Sequence, residues 1–130
     1  GDWTPYDGAA IPSEHAPAAR RAFLEARHSR EPNRRATKRA EEDAVMRTLL
    51  AALPGATRSA LAELWGELHL RESPEARFVK QVDRLETFLQ SRLYLDTDPA
   101  LPMASFHQEV LETIDDPLLA AIRDAALATR

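Results

Sequence analysis

Residues 73–94 read SPEARFVKQVDRLETFLQSRLY, and this stretch decides the fold class. It opens with a helix start signal: Ser73 is a suitable N-cap, Pro74 fits the first helical position, and Glu75 lies in the first turn. At 100° per residue, one apolar arc then runs along the stretch. Its members are Phe78, Val82, Leu85, Leu89 and Leu93. The pattern predicts a long amphipathic helix that ends near Tyr94 and turns this arc toward a core.

Two carboxylates occupy unusual positions on this predicted helix. Glu86 falls inside the apolar arc and Asp83 lies at its edge, whereas the basic residues Lys80 and Arg84 point the other way. Burial of an isolated charge is very unfavourable, so a carboxylate that faces a core needs a cation, a metal or several hydrogen-bond donors. The pattern leaves three interpretations open: an ion pair with an arginine of another helix, exposure at the edge, and a metal-binding or catalytic role.

Helical periodicity recurs on both sides of this stretch. Apolar residues at three- and four-residue spacing precede it, and Pro54-Gly55 separates two upstream helices. Asp116 as a cap with Pro117 at the first position predicts the start of a last helix. The predicted helices besides 73–94 cover about 17–28, 36–53, 57–70, 104–114 and 117 to the end. Nothing alternates with period two over the length of a strand, so we predict an all-α chain.

The composition is that of one soluble globular domain. The chain has 130 residues, a formal net charge of −4 and no cysteine. We expect one domain over residues 1–130, with an extended Pro- and Arg-rich loop at about 5–35. The absence of cysteine excludes disulfides, thiolate metal sites and a cysteine nucleophile. Because the apolar runs are too short to span a bilayer and no signal segment is recognised, we expect a cytoplasmic protein without a membrane partner.

Basic residues are concentrated between Arg20 and Arg39, where Glu25 and Glu31 are the acidic residues. Such a stretch on an acidic chain is more often a solvated loop than a site for a phosphate-bearing ligand. The net negative charge gives no general case for binding nucleic acid, so no nucleic-acid partner is expected. A nucleic-acid binder would instead show an affinity that falls as the salt concentration rises.

Other residues give weaker signals. Glu42 lies on an apolar stripe, but near the predicted start of its helix, where the helix dipole accounts for a carboxylate. His69 and His107 are placed at ordinary surface positions near helix ends, and the histidines lack the spacing of a local metal site. Trp65 and Phe78 are interpreted as core residues.

Three segments together resemble a known family. They are GDWTPYD at residues 1–7, EEDAVMRTLLAALP at 41–54, and LAELWGELHLRESPEARFVKQVDRLETFLQSRLY at 61–94. In order and spacing they are similar to the HD-domain phosphohydrolases, and within these to the 5'-deoxynucleotidase branch. The resemblance is weak after Tyr94 and absent across residues 8–37. It implies an all-α, HD-domain-like helical bundle.

The resemblance also implies roles for three residues. Asp83 matches the last metal-ligating aspartate of the family, and Asp2 matches an acidic residue that positions or deprotonates the attacking water. Glu86 matches a recurrent glutamate, which we interpret as support for the metal ligands. The implied cofactor is a divalent ion such as Mn, Co or Mg. The implied activity is hydrolysis of (deoxy)nucleoside 5'-monophosphates to nucleoside and phosphate, by a homodimer.

The sequence departs from the family at the metal site. The family's first metal-binding histidine and its His-Asp pair have no counterpart here and would precede Gly1. We therefore expect a partial HD domain that lacks its N-terminal helices and is inactive alone, because one aspartate and a neighbouring acid would repel a phosphate. The alternative is a non-catalytic helical interaction or assembly module, which would bind no metal and would expose an apolar patch.

Overall fold

The computed structural model describes residues 4–6, 8–28 and 32–129, and these form helices joined by short connections. The helices are α1 (Pro17–Glu25), α2 (Pro32–Ala51), α3 (Gly55–Leu70), α4 (Pro74–Thr97), α5 (Ala104–Thr113) and α6 (Pro117–Ala128). No strand occurs in the described part of the chain, so the all-α prediction is confirmed. Within the same residues, no helix combines the length and the apolarity that crossing a membrane would require.

Local start and stop signals explain most helix boundaries. The Asp116 carboxylate accepts hydrogen bonds from the backbone N–H groups of Leu118 and Leu119 at 3.0 and 3.1 Å, which caps α6 as predicted. Ser73 Oγ accepts from the N–H of Ala76 at 3.1 Å and caps α4 in the same way. At the C-terminal end of α3, Arg71 takes a left-handed conformation with φ 57°, which ends that helix.

Three boundaries differ from the prediction by three residues or more. Helix α1 ends at Glu25 rather than near His28. Helix α2 begins at Pro32 rather than near Ala36, and α4 continues to Thr97 rather than ending near Tyr94. Proline is well accommodated in the first turn of a helix, because its missing N–H has no helical partner there. Much of the basic stretch 20–39 is therefore helical, in α1 and in the first turns of α2, and is not a continuous loop.

The described residues divide into two compact units, and α4 contributes residues to both. The first unit comprises residues 32–80, in which α2 packs against α3. Leu50 and Ala76 are its buried apolar side chains. The guanidinium of Arg58 donates to the carbonyls of Ala51 and Leu53 at 3.2 and 2.9 Å, which satisfies acceptors left open at the end of α2.

The second unit comprises the described residues of 4–28 together with 81–129. Its core is one apolar cluster formed by Leu85, Phe88, Val110, Ile114 and Leu119. The segment before α1 is fixed to α5, because Tyr6 Oη accepts from the N–H of Ser105 at 2.9 Å. Ser105 Oγ in turn accepts from the N–H of His28 at 2.7 Å. The rings of Tyr6 and His28 lie 5.1 Å apart, so aromatic contact adds to this anchor.

The side of α4 that is buried differs from the predicted one. Leu85 is buried as expected, but Phe88, which lies outside the predicted arc, is the most buried side chain of α4 at 1% exposure. The remaining members of the arc are exposed at 36% or more: Phe78, Val82, Leu89 and Leu93. Helix α4 carries apolar side chains on two sides, and the core of the second unit covers the side with Phe88. The interpretation of Phe78 as a core residue is therefore wrong.

Candidate functional site

Asp83 lies on the exposed side of α4, in the part of that helix that belongs to the second unit. Its neighbours along the chain hold this part of α4 to α5 and to the α5–α6 turn. Arg84 Nε lies 3.3 Å from Glu109 Oε1, and the Gln81 amide donates to Asp115 Oδ1 at 2.7 Å. These contacts fix the segment of α4 that carries Asp83.

Glu86 is exposed and lies one turn from Asp83 on the same helix. Leu85 of the surrounding arc is buried, whereas Val82, Leu89 and Leu93 are exposed, so Glu86 does not face a core and the interpretation of exposure at the edge fits it. The other predicted site residue, Asp2, lies outside the residues that the structure describes. The structure thus brings Asp83 and Glu86 onto one exposed side of α4.

The donor set for a divalent cation is incomplete in the described residues. Asp83 fits as one hard oxygen donor, and such ions take several oxygen or nitrogen ligands in proteins. No group of three or more His, Cys, Asp or Glu side chains within residues 4–6, 8–28 and 32–129 could hold a metal ion. The described residues therefore do not form a metal centre by themselves.

A second polar cluster lies in the first unit, between α2 and α3. Asp43 Oδ1 accepts a hydrogen bond of 2.7 Å from Trp65 Nε1, and His69 Nε2 lies 3.9 Å from the same oxygen. The rings of Trp65 and His69 meet edge to face, with centroids 4.4 Å apart. Arg39 Nε lies 3.8 Å from the other oxygen of Asp43. The four side chains form the Asp43 cluster.

The electrostatics of the Asp43 cluster oppose protonation of both titratable groups. The hydrogen bond from Trp65 lowers the pKa of Asp43, with a further contribution from Arg39. Burial lowers the pKa of His69, and the charge of Arg39 acts in the same direction. The ground state of the cluster at neutral pH is therefore a carboxylate beside a neutral imidazole.

The sequence interpretation missed this cluster. His69 was expected at an ordinary surface position, but its side chain is only 11% exposed. Trp65 is half-buried, and its indole N–H serves as a donor. The spacing of Trp65 and His69, four residues apart on one helix face, is a usable signal, because it places both rings side by side. Nothing in the sequence pairs them with Asp43, which lies 22 residues before Trp65.

The helix-dipole explanation for Glu42 is also wrong. Helix α2 begins at Pro32, so Glu42 lies well inside the helix, beyond the first turn where the dipole acts. Its carboxylate instead pairs with Lys38 one turn earlier, at 3.4 Å. This ordinary surface ion pair accounts for the residue without a functional role.

Several side chains of the basic stretch 20–39 have acidic partners. Arg21 lies 3.8 Å from Glu25 within α1, and the Arg27 guanidinium pairs with Glu112 of α5. Lys38 and Arg39 pair with residues one turn later in α2. These side chains make intramolecular contacts, which is the behaviour of a solvated charged surface.

Comparison with known proteins places the fold and the site in context. A family model described as an HD domain matches residues 23–120 of the 130. The 5'-deoxynucleotidases HDDC2 of Mus musculus and Homo sapiens are each 39% identical over 61 residues. These alignments cover 47% of this chain and 31% and 30% of the relatives, so the chain spans less than a third of either. No solved structure matches significantly.

The comparisons confirm the predicted resemblance and extend it. The family match includes Asp83 and Glu86, and it runs past Tyr94 to residue 120. It also begins at residue 23, inside the stretch 8–37 in which no resemblance was recognised. The predicted extent was thus too short in both places. Asp2 lies outside the matched residues.

Proposed function

The chain belongs to the HD-domain family, and from that membership we propose that it forms part of a phosphohydrolase acting on (deoxy)nucleoside 5'-monophosphates. The observation that carries the proposal is the 39% identity to 5'-deoxynucleotidases within a chain whose family match contains Asp83. Membership of the family supports the reaction class. The substrate is inferred from what those relatives are named for.

In this proposal Asp83 supplies one carboxylate ligand to a divalent cation such as Mn, Co or Mg. When bound, such an ion polarises a phosphoryl oxygen and lowers the pKa of its water. Asp2 positions or deprotonates the attacking water, and Glu86 supports the ligand from one turn away. The exposure of Asp83 and Glu86 on a fixed segment of α4 is compatible with these roles.

The homodimer that the family resemblance implies is part of this proposal. We also propose that the 130 residues alone are inactive. A carboxylate without a cation repels a phosphate, since like charges at short range oppose binding. The donor set described above holds fewer ligands than a divalent ion needs. Activity therefore requires donors beyond those that the described residues offer.

The test is phosphate release by the complete gene product. With deoxynucleoside 5'-monophosphates and added Mn²⁺, Co²⁺ or Mg²⁺, we expect turnover that a chelator abolishes. Asp83→Ala should lower kcat/KM by more than about 100-fold, since even residues that only support a metal ligand contribute 10–100-fold. Asp96→Ala, the same change at an exposed position of α4, is the matched control and should retain activity. Unchanged turnover in Asp83→Ala would refute the assigned site.

One observation favours the alternative function, a helical assembly module. Val82, Leu89 and Leu93 are exposed on α4 around Glu86, and we name these four residues the outer face of α4. Exposed apolar patches often mark protein–protein contacts. A module would bind no Mn²⁺ by electron paramagnetic resonance and would associate through this face. Leu93→Glu should then dissociate it in light scattering, whereas Leu118→Glu, at an exposed position of α6, should not.

A further inference from the structure

His69 holds a buried nitrogen that has no hydrogen bond. Its Nε2 atom is shielded from solvent and finds no partner among the residues that the structure describes. Asp43 Oδ1 lies 3.9 Å from this nitrogen, which is beyond hydrogen-bond distance. That oxygen already accepts the indole N–H of Trp65 at 2.7 Å. The geometry therefore accommodates a neutral imidazole and provides no bonded counter-ion for a charged one.

The charges around His69 come from two other helices. Helix α2 contributes Arg39 and Lys38 with their partners Asp43 and Glu42, and α4 contributes Lys80 in the same unit. The cations Arg39 and Lys80 oppose a proton on His69, and Asp43 and Glu42 favour it. Burial of the imidazole also opposes its protonation and has the largest effect, so the pKa of His69 lies below its ordinary value.

We propose that His69 is an acid-sensitive contact between α2 and α3, and that protonation of its imidazole loosens the packing of α3 around Trp65. A charged imidazole must either leave its buried position or approach Asp43 by about 1 Å to reach hydrogen-bond distance. Approach to Asp43 shifts the imidazole ring relative to the indole of Trp65, whose ring centroid lies 4.4 Å from that of His69. Both routes disturb the indole, so Trp65 reports the event.

The direction of the pH effect follows from linkage. The folded unit binds a proton at His69 less readily than the unfolded chain does. The stabilising contribution is therefore complete above the unfolded pKa of about 6.5, and it is lost as the pH falls toward the folded value. A single site of this kind changes the unfolding equilibrium constant by up to about tenfold per pH unit.

The test uses the 130-residue chain with Trp3→Phe, so that Trp65 is the single tryptophan. Urea unfolding is followed by Trp65 fluorescence at pH 7.5 and 5.5. We expect the urea midpoint to fall at pH 5.5 in this parent and to change much less in His69→Gln. His15→Gln, at an exposed histidine, is the matched control and should behave as the parent does. An equal fall in His69→Gln, or none in the parent, would overturn the proposal.

A second measurement keeps the proposal testable if His69→Gln does not fold. The ring proton of His69 in the unsubstituted chain can be titrated by NMR, in buffer and in concentrated urea. The expected result is a lower pKa in buffer than in urea. An equal or higher pKa in buffer would show that the folded site accepts the proton, and the proposal would fail.

Discussion

Gln81 and Asp115 are joined by a closed pair of hydrogen bonds that connects α4 to the α5–α6 turn. The Gln81 amide nitrogen donates to Asp115 Oδ1 at 2.7 Å, and its oxygen accepts from the Asp115 backbone N–H at 2.9 Å. The same oxygen also accepts from the N–H of Asp116 at 2.9 Å. Because Gln81 is only 8% exposed, these bonds satisfy a buried amide and two backbone donors.

Gln81→Glu is expected to destabilise the second unit by about 1–3 kcal/mol. The new carboxylate can still accept from the two backbone N–H groups, but it loses the donor to Asp115 and faces a second carboxylate. The loss should be larger at pH 7 than at pH 4, where the pair can share a proton. Urea unfolding followed by circular dichroism measures it, with Gln90→Glu on the same helix as the control. Equal stability of the two variants at pH 7 would contradict this account.

Asp116→Ala should cost about 0.5–2 kcal/mol, the usual contribution of a helix N-cap. Its carboxylate accepts from two backbone donors in the first turn of α6, and alanine leaves both without that acceptor. Asp116→Asn retains an acceptor oxygen and should lose much less. Thermal unfolding of the three proteins tests this order. A deficit in the asparagine variant as large as in the alanine variant would show that charge, and not capping, is responsible.

Asp43 should make the first unit sensitive to strong acid. The hydrogen bond from Trp65 lowers its pKa, so the stabilisation is present above the unfolded pKa of about 4 and is lost as the pH falls below it. We expect Asp43→Asn to be less stable at pH 7 and to show a smaller loss of stability between pH 4.5 and 3. Both the stability at pH 7 and its loss between pH 4.5 and 3 are measured from the urea midpoint. Unfolding is followed by Trp65 fluorescence in chains that also carry Trp3→Phe.

The experiment on Asp43 is best made with His69→Gln as the background, because the histidine then contributes no titration. Asp96→Asn serves as the control, since Asp96 is an exposed acid outside the first unit. A parent whose stability is flat between pH 4.5 and 3 would show that the bond to Trp65 does not favour the charged carboxylate.

The helices themselves were predictable from local signals. Ser73, Asp116 and the prolines at helix starts act within one turn of where they lie, so the sequence places those boundaries well. The start of α2 was missed because Pro32 lies in the stretch that was predicted to be a Pro- and Arg-rich loop, although proline fits the first helical position. Long-range pairs such as Asp43 with Trp65 leave no local pattern in the sequence. They are identified only from the packing of α2 against α3.

For the candidate site, the sequence identified Asp83 and Glu86 as carboxylates in unusual positions, and the structure explains why they looked unusual. Helical periodicity identifies the apolar sides of a helix, but it does not decide which of two apolar sides packs against the core. The outer face of α4 carries the apolar side chains of Val82, Leu89 and Leu93, so the sequence pattern placed Glu86 among residues that were expected to face a core. Because this face is exposed, the Glu86 carboxylate is in contact with solvent and needs no buried partner for its charge.

Truncation of an apolar side chain is therefore expected to cost much more stability on the buried side of α4 than on its outer face. Phe88 is 1% exposed in the cluster with Val110 and Ile114, so Phe88→Ala should cost about 3–5 kcal/mol through lost burial and the cavity left behind. Leu93 is 60% exposed, and Leu93→Ala should change stability by less than about 0.5 kcal/mol. Urea unfolding of the 130-residue chain at low protein concentration compares them directly. If Leu93→Ala proved as costly as Phe88→Ala, the outer face of α4 would be covered in solution, and the same comparison at several protein concentrations would show whether a second copy covers it.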